Sequence, residues 1–317
     1  MTPVTFSVTQ LNIDGLSALR LDGVELFDVG RIFDCGQCFR FDPVSNSLHE
    51  IEYAGCAYGK YVSIAQDGST VYIYNATLDE YESVWKKFLS LDRNYAEINQ
   101  SILSLSDNPA LSDAVSLASG IRILKQEEWE SICSFIISQN NNIPRIKKLV
   151  AALCAACGEK IDVSGMQGHV ADLHRNDDMT VYAFPAPDKV AALGIDGLSA
   201  LKVGFRAKYI MDAATKFSAA EIDTLLLSTH ESTDECVKHL CAVKGIGPKV
   251  ASCALLFGFA RLDAFPVDVW IKKVVSKYFD EGFDPRALGQ YAGIAQQYLF
   301  YYERYLVSAD KGDKNED

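Results

Sequence analysis

The chain has 317 residues, 49% of them hydrophobic and 23% charged, enough for one large globular domain or two to three smaller ones. The opening Met1-Thr2-Pro3-Val4-Thr5-Phe6 has neither a basic start nor an apolar core, and no apolar run reaches about eighteen residues. A signal peptide and a membrane span are therefore not expected, and an intracellular protein is. Thirty Lys and Arg against 42 Asp and Glu give a net charge of −12, which by itself disfavours a polyanionic partner.

In chain order, the residues up to Leu19 show little pattern. Cys38 belongs to a strand-like stretch. Tyr61-Val62-Ser63-Ile64 and Val71-Tyr72-Ile73-Tyr74 alternate around Asp67-Gly68, which predicts a hairpin. A β-rich N-terminal domain over 1–115 follows. From Leu78 the pattern becomes helical, predicting a helical body over 116–310. Trp129, Ile132, Cys133, Ile136 and Ile137 form one apolar stripe, and Leu288, Ala292, Ala295 and Leu299 form another. Both stripes read as core. The fold class is thus α+β, an antiparallel β-sheet domain followed by a mainly helical body. Residues 311–317 read as a flexible acidic tail.

Nine cysteines include Cys35-x-x-Cys38 and Cys154-x-x-Cys157, both at ligand-like spacing. Cys154, however, shares an apolar helical face with Ile146, Leu149, Val150 and Leu153. Buried reduced thiols are expected, with no metal.

Asn140-Asn141-Asn142 lies between the Trp129 stripe and a helix opened by Pro144. Three amides there can cap a helix, or they can fill a gap and hydrogen-bond an exposed base. Further on, Val237, Leu240 and Cys241 fall at helical spacing, as do Val250, Cys253, Ala254 and Phe257. Between them Gly245 and Gly247 allow backbone angles that other residues resist, and Pro248 suits a first helical position. This pattern, over about 232–258, predicts a helical hairpin. Its turn presents bare N–H groups at a helix N-terminus, a seat for a phosphate that reads no base. Lys249 gains nothing from the dipole at that end, and partial burial favours its neutral, nucleophilic amine. Asp268 is an expected N-cap for Val269-Trp270-Ile271, a position that fixes its carboxylate in space.

These residues resemble the helix-hairpin-helix and Gly/Pro/Asp signature of the DNA glycosylase superfamily. Four further stretches resemble its 8-oxoguanine DNA glycosylase/AP lyase branch. They are Gly36-Gln37-Cys38-Phe39-Arg40-Phe41, Ser138-Gln139-Asn140-Asn141-Asn142-Ile143-Pro144-Arg145, Gly204-Phe205-Arg206-Ala207-Lys208-Tyr209, and Tyr291-Ala292-Gly293-Ile294-Ala295-Gln296-Gln297-Tyr298-Leu299-Phe300. Together they keep the family's order and roughly its spacing from near residue 30 to near 300.

The resemblance implies excision of 8-oxoguanine, opposite cytosine in duplex DNA, through a lysine Schiff base followed by strand nicking. Lys249 is then the nucleophile, and Asp268 steadies the developing positive charge. Cys253 and Phe300 wall the extruded base, Gln296 reads its Watson–Crick edge, and the Gly36 carbonyl receives the N7–H that only the oxidised base carries. Asn140, Arg145 and Arg206 contact the estranged cytosine. Phe205 wedges beside it, where relatives use tyrosine. Gly245 and Gly247 hold a phosphate, and the carbonyls of Cys241, Val243 and Gly247 are candidates to hold a cation against it. No metal or organic cofactor is needed, and a monomer is expected. Lys202, Arg206, Lys208, Lys244, Lys249, Lys272 and Lys273 supply a basic DNA face, while acidic residues gather from Glu221 to Glu235. Two departures stand out. Trp270 replaces a histidine that helps place a phosphate, and Phe257 replaces a flexible thioether. Two other readings remain open: a relative acting on another oxidised or alkylated base, and a DNA-binding module without catalysis.

Overall fold

A computed structural model describes residues 5–13, 15–166, 180–230 and 232–312. Six strands form one antiparallel sheet: β1 (Ser7–Ile13), β2 (Leu16–Asp22), β3 (Phe41–Pro43), β4 (Ile51–Ala57), β5 (Lys60–Asp67) and β6 (Thr70–Tyr74), in the order β1-β2-β6-β5-β4-β3. The expected hairpin is β5–β6, with Ile64 opposite Ile73 and Gly68 at φ +54° in its turn. Strands β1 and β2 fall where the sequence shows little pattern. Strand β2 is buried or half-buried on both faces apart from Arg20, which hides the alternation of a half-exposed strand, while β1 lies at the sheet edge with no buried residue and its apolar Val8, Leu11 and Ile13 do not alternate. Leu19, Leu21, Val62, Ile64 and Ile73 pack against Trp85, Phe88 and helix α1 (Val29–Asp34). Smaller Ala18, Ala54 and Ala65 point the other way, beneath Val163 and Met166. A second, two-stranded sheet pairs β7 (Lys160–Ile161) with β8 (Val181–Tyr182).

Cys38 does not lie in a strand. Helix α1 ends at Cys35, Gly36 turns the chain at φ +80°, and β3 starts only at Phe41. The fully buried Gln37 replaces the missing ladder. Its amide donates to the carbonyls of Ile32 and Arg122, and its side-chain oxygen accepts from Leu124 N, each at 2.9 Å.

The body contains α2 (Tyr95–Ser104), α3 (Pro109–Ala118), α4 (Glu128–Ser138), α5 (Ile143–Cys157), α6 (Ala207–Ser218), α7 (Thr233–Cys241), α8 (Pro248–Gly258), α9 (Val269–Tyr278) and α10 (Ala292–Gly312). Both apolar stripes lie in its core. Tyr95, Ile98, Leu111 and Ala114 share that core, so the packing changes near residue 91, and position 115 falls inside α3. Helix α10 reaches Gly312, so the stretch read as a tail begins within it; residues 313–317 lie outside the described residues. Among the described residues no helix is long and apolar enough to cross a membrane.

Arg122 joins the two cores. Its side chain is 2% exposed and donates to the carbonyls of Leu26 (3.0 Å), Glu25 (2.8 Å), Ser90 (2.7 Å) and Arg93 (3.3 Å). Its guanidinium lies 4.6 Å from the Tyr95 ring centroid. Helix α6 in turn carries the helical hairpin. Asp212 Oδ2 accepts from Lys244 N at 2.8 Å, Lys216 Nζ donates to the Ala242 carbonyl at 3.1 Å, and Lys216 pairs with Asp212 at 3.0 Å. Burial pushes the Asp212 carboxyl up, but the Lys244 amide and the Lys216 ammonium together hold it below its ordinary value.

Two outcomes follow. Arg122→Met leaves four carbonyls without their donor and should cost roughly 3 kcal/mol or more in denaturant unfolding. Asp212→Asn should cost about 1 kcal/mol at pH 7. Because the folded carboxyl is depressed, its contribution is present above about pH 4 and is lost as the pH falls through the lower folded value. Thermal midpoints of the two proteins should therefore converge in acid.

Candidate active site

Helix α7 opens at Ser232, whose side chain accepts from Glu235 N, and ends at Ala242. The Val243–Gly247 turn follows, and α8 starts at Pro248. Gly245 is required twice: its φ is +83°, and a Cβ there would collide with the Tyr209 ring. Gly247 differs from expectation. Its φ of −96° suits any residue, and an added Cβ would meet nothing within 4 Å. The fold thus gives no internal reason for glycine at 247; the space beside it is open. No side chain caps α8, so its first-turn amides face outward. Of the carbonyls suggested for a cation, Val243 already accepts from Ile246 N at 3.1 Å and Gly247 from Ala251 N at 3.0 Å.

Beside the hairpin lies a cleft of ≈ 70 Å³ that brings together Gly36, Lys249, Cys253, Asp268, Gln296 and Phe300, joined by Cys35, Phe135, Phe257, Pro266 and Gln297. The first six are the residues expected for catalysis and base binding. Phe135 and Gln297 were not expected, for a physical reason. Helix α4 is buried nearly all round, so its periodicity marks no cleft-facing side, and Gln297 differs from Gln296 only in direction.

Lys249 is half-buried in the first turn of α8, with Nζ 5.6 Å from the Phe135 ring centroid. Among the described residues it forms no ion pair. Cys253, one turn on, is 4% exposed. Burial pushes its thiol up, the Lys249 charge pulls it down and the Asp268 charge raises it, so all three groups feel one another. Asp268 caps α9 as expected: Oδ1 accepts from Ile271 N at 2.8 Å, and Oδ2 accepts no hydrogen bond among the described residues. Gln296 is only 5% exposed, yet its amide makes no hydrogen bond among the described residues. Its polar atoms are not sealed in the interior, so the amide is open to the cleft that it lines. The Gly36 carbonyl likewise accepts nothing among the described residues. Phe257 stacks on Phe135 at 5.3 Å and closes the floor.

The three amides at 140–142 divide between the two roles left open by the sequence. Asn142 caps α5 by accepting from Arg145 N at 3.0 Å, and Asn141 donates to the Ile137 carbonyl at 3.3 Å. Asn140 is exposed, sits at φ +48°, and its side chain has no hydrogen bond among the described residues. Arg145 is exposed, and Phe205 is 47% exposed, edge-on to Tyr209 at 5.8 Å. Arg206, suggested for the opposite base, is 5% exposed. It donates to the carbonyls of Gln139, of Asn140 (3.2 Å) and of Val203 (3.1 Å), and so holds the turn that carries Asn140. Trp270 is half-buried, with Lys273 Nζ 5.0 Å from its ring centroid. Lys202, Lys208, Lys244, Lys272 and Lys273 are exposed. Of the nine cysteines, none is in a disulfide and seven are buried. Among the described residues no group of three or more His, Cys, Asp and Glu could hold a metal.

Comparison with known proteins divides the chain later, between residues 132 and 133. Residues 19–132 match the family model of the 8-oxoguanine DNA glycosylase N-terminal domain, and residues 133–285 match that of the HhH-GPD superfamily base excision DNA repair proteins. An N-glycosylase/DNA lyase OGG1 of Arabidopsis thaliana is 28% identical over 296 residues, which cover 86% of this chain and 76% of the relative. An N-glycosylase/DNA lyase of Saccharomyces cerevisiae is 32% identical over 197 residues, covering 58% of this chain and about half (49%) of the yeast protein. Among solved structures, MBOgg1 in complex with a low-affinity DNA ligand is 34% identical with a TM-score of 0.81, covering 95% of this chain and 99% of that one. The 8-oxoguanine glycosylase/lyase of Clostridium acetobutylicum, bound to double-stranded DNA with cytosine opposite 8-oxoguanine, is 33% identical with a TM-score of 0.79, covering 96% and 99%. The chain belongs to the 8-oxoguanine DNA glycosylase family of the HhH-GPD superfamily.

Proposed function

We propose that this protein is a bifunctional 8-oxoguanine DNA glycosylase with AP lyase activity, acting in base excision repair on duplex DNA that carries the lesion opposite cytosine. The observation that carries the reading is one cleft in which Lys249 and Asp268 meet Gly36, Cys253, Gln296 and Phe300, from separate parts of the chain.

A base inside the stack is out of reach, so the nucleotide is extruded. Phe205 wedges into the gap while Asn140 and Arg145 contact the orphaned cytosine; Arg206 steadies the Asn140 turn. The open N-terminus of α8 receives a backbone phosphate, and an otherwise unexplained glycine at 247 lets that phosphate come close. Trp270 supplies one N–H donor, and Lys273 over its ring brings the charge that a tryptophan lacks.

In the cleft Cys253 and Phe300 sandwich the base, and the unspent Gln296 amide pairs with its Watson–Crick edge. The Gly36 carbonyl accepts the N7–H of 8-oxoguanine; against guanine it meets a lone pair instead. The Lys249 nitrogen pair attacks C1′, and the C1′–N9 bond breaks with its electrons leaving on the base, which takes up a proton. The Asp268 carboxylate stabilises the cationic sugar. Ring opening gives the Schiff base. Loss of a C2′ proton then expels the 3′ phosphate, nicking the strand, and water releases the lysine. These steps draw on no metal or organic cofactor. The protein acts as an intracellular monomer.

Borohydride should trap a covalent adduct between the protein and an 8-oxoguanine:cytosine duplex. Lys249→Gln should abolish it and slow excision by at least about 10³-fold; an adduct that persisted would move the nucleophile elsewhere. Asp268→Asn keeps a capping side chain, so single-turnover excision should fall about 10²-fold while duplex affinity changes less than about 3-fold. Equal losses in both would reduce Asp268 to a helix cap.

A further inference from the structure

Helix α10 holds both ends of the base-reading geometry. Gln296 and Phe300 lie on it, and the next residue, Gln297, reaches across to the turn that carries Gly36. Gln297 is 4% exposed, and its Nε2 donates to the Cys35 carbonyl at 3.0 Å. Seven residues further on the same helix, Arg304 Nη1 donates to the Asp34 carbonyl at 2.8 Å. The far side of the turn is equally fixed. Gln126 Nε2 donates to the Gln37 carbonyl at 2.7 Å, and Gln37 is locked by its own amide. Asp34, Cys35 and Gln37 thus all have their carbonyls committed, while that of Gly36 between them accepts nothing among the described residues. Gly36 itself is confined, since a Cβ there would lie 3.3 Å from Ile143 Cδ1.

We propose that Gln297 is a positioning residue for lesion recognition: by tying Cys35 to α10, it sets the spacing between the Gly36 carbonyl and the Gln296 amide, the two groups that read the base. This inference rests on the function proposed above. A hydrogen bond to N7–H and another to the Watson–Crick edge must form on one rigid purine at once, so a slack of a few tenths of an ångström weakens both. The amine chemistry of Lys249 on a site that has already lost its base uses neither reader.

The test compares Gln297→Met, similar in length but without the donor, with the wild-type protein on two duplexes, one with 8-oxoguanine opposite cytosine and one with an abasic site opposite cytosine. Single-turnover excision of 8-oxoguanine should fall about 10-fold, and the binding preference for lesion over undamaged duplex should shrink by a similar factor. Nicking of the abasic duplex should stay within about 2-fold, because no base is read there. Arg304→Met, which loosens the same turn from the surface, should show the same pattern at about 3-fold; it keeps the test open if Gln297→Met does not fold. Unchanged excision and preference, or excision and abasic nicking falling together, would overturn the proposal. If the wild-type protein nicks the abasic duplex but leaves 8-oxoguanine untouched, the substrate assignment itself has failed, a result separate from any effect of Gln297.

Discussion

An amine and a carboxylate share the cleft without closing on each other. A closed ion pair would turn each group toward the other and away from anything else in the cleft. The arrangement that prevents this is local. Asp268 is held at the head of α9 by the Ile271 amide, Lys249 stands in the first turn of α8, and Cys253 lies beside both. Most of the surrounding architecture serves to keep those two helix starts in place. The Gly245 turn fixes where α8 begins, and α6 fixes the turn through Tyr209, Asp212 and Lys216.

The same helix links Phe205 and Arg206 to the hairpin. Phe205 and Arg206 immediately precede α6, Tyr209 on α6 packs edge-on to Phe205, and its ring occupies the space that a side chain at 245 would need. Phe205 and the Gly245 turn are therefore joined by direct contacts through the one Tyr209 ring. Buried arginines extend this economy. Arg122 and Arg206 spend their guanidinium donors on backbone carbonyls, and Arg40 pairs with the buried Glu130. In a chain of net charge −12, cations used as internal fasteners are withdrawn from the surface, whereas Lys244, Lys272 and Lys273 near the hairpin stay exposed.

Much of this was legible in the sequence because the chemistry sits on strong local signals. A Gly-Ile-Gly-Pro-Lys turn fixes a helix start, and an aspartate before an apolar helix fixes another; both appear where the spacing predicts them. The β5–β6 hairpin was visible through its alternation and its Asp-Gly turn, whereas β2 loses its polar side by burial and β1 places Val8, Leu11 and Ile13 out of step. Cys38 looked like part of a strand because its apolar neighbours hide the left-handed glycine two positions earlier. For Arg206 the resemblance implies a base contact, and what the sequence does not reveal is that its guanidinium also donates to the backbone carbonyls of Gln139, Asn140 and Val203. Only tertiary structure reveals that Asn141 and Asn142 are caps while Asn140 is left over.

All nine cysteine thiols are pushed above their ordinary value, burial being the leading cause in each. Thiolate is the form that peroxides consume. A protein whose substrate is made by oxidants meets its damaged guanines when those same oxidants are abundant. Burial disfavours, at every cysteine including Cys253 at the cleft, the form those oxidants attack.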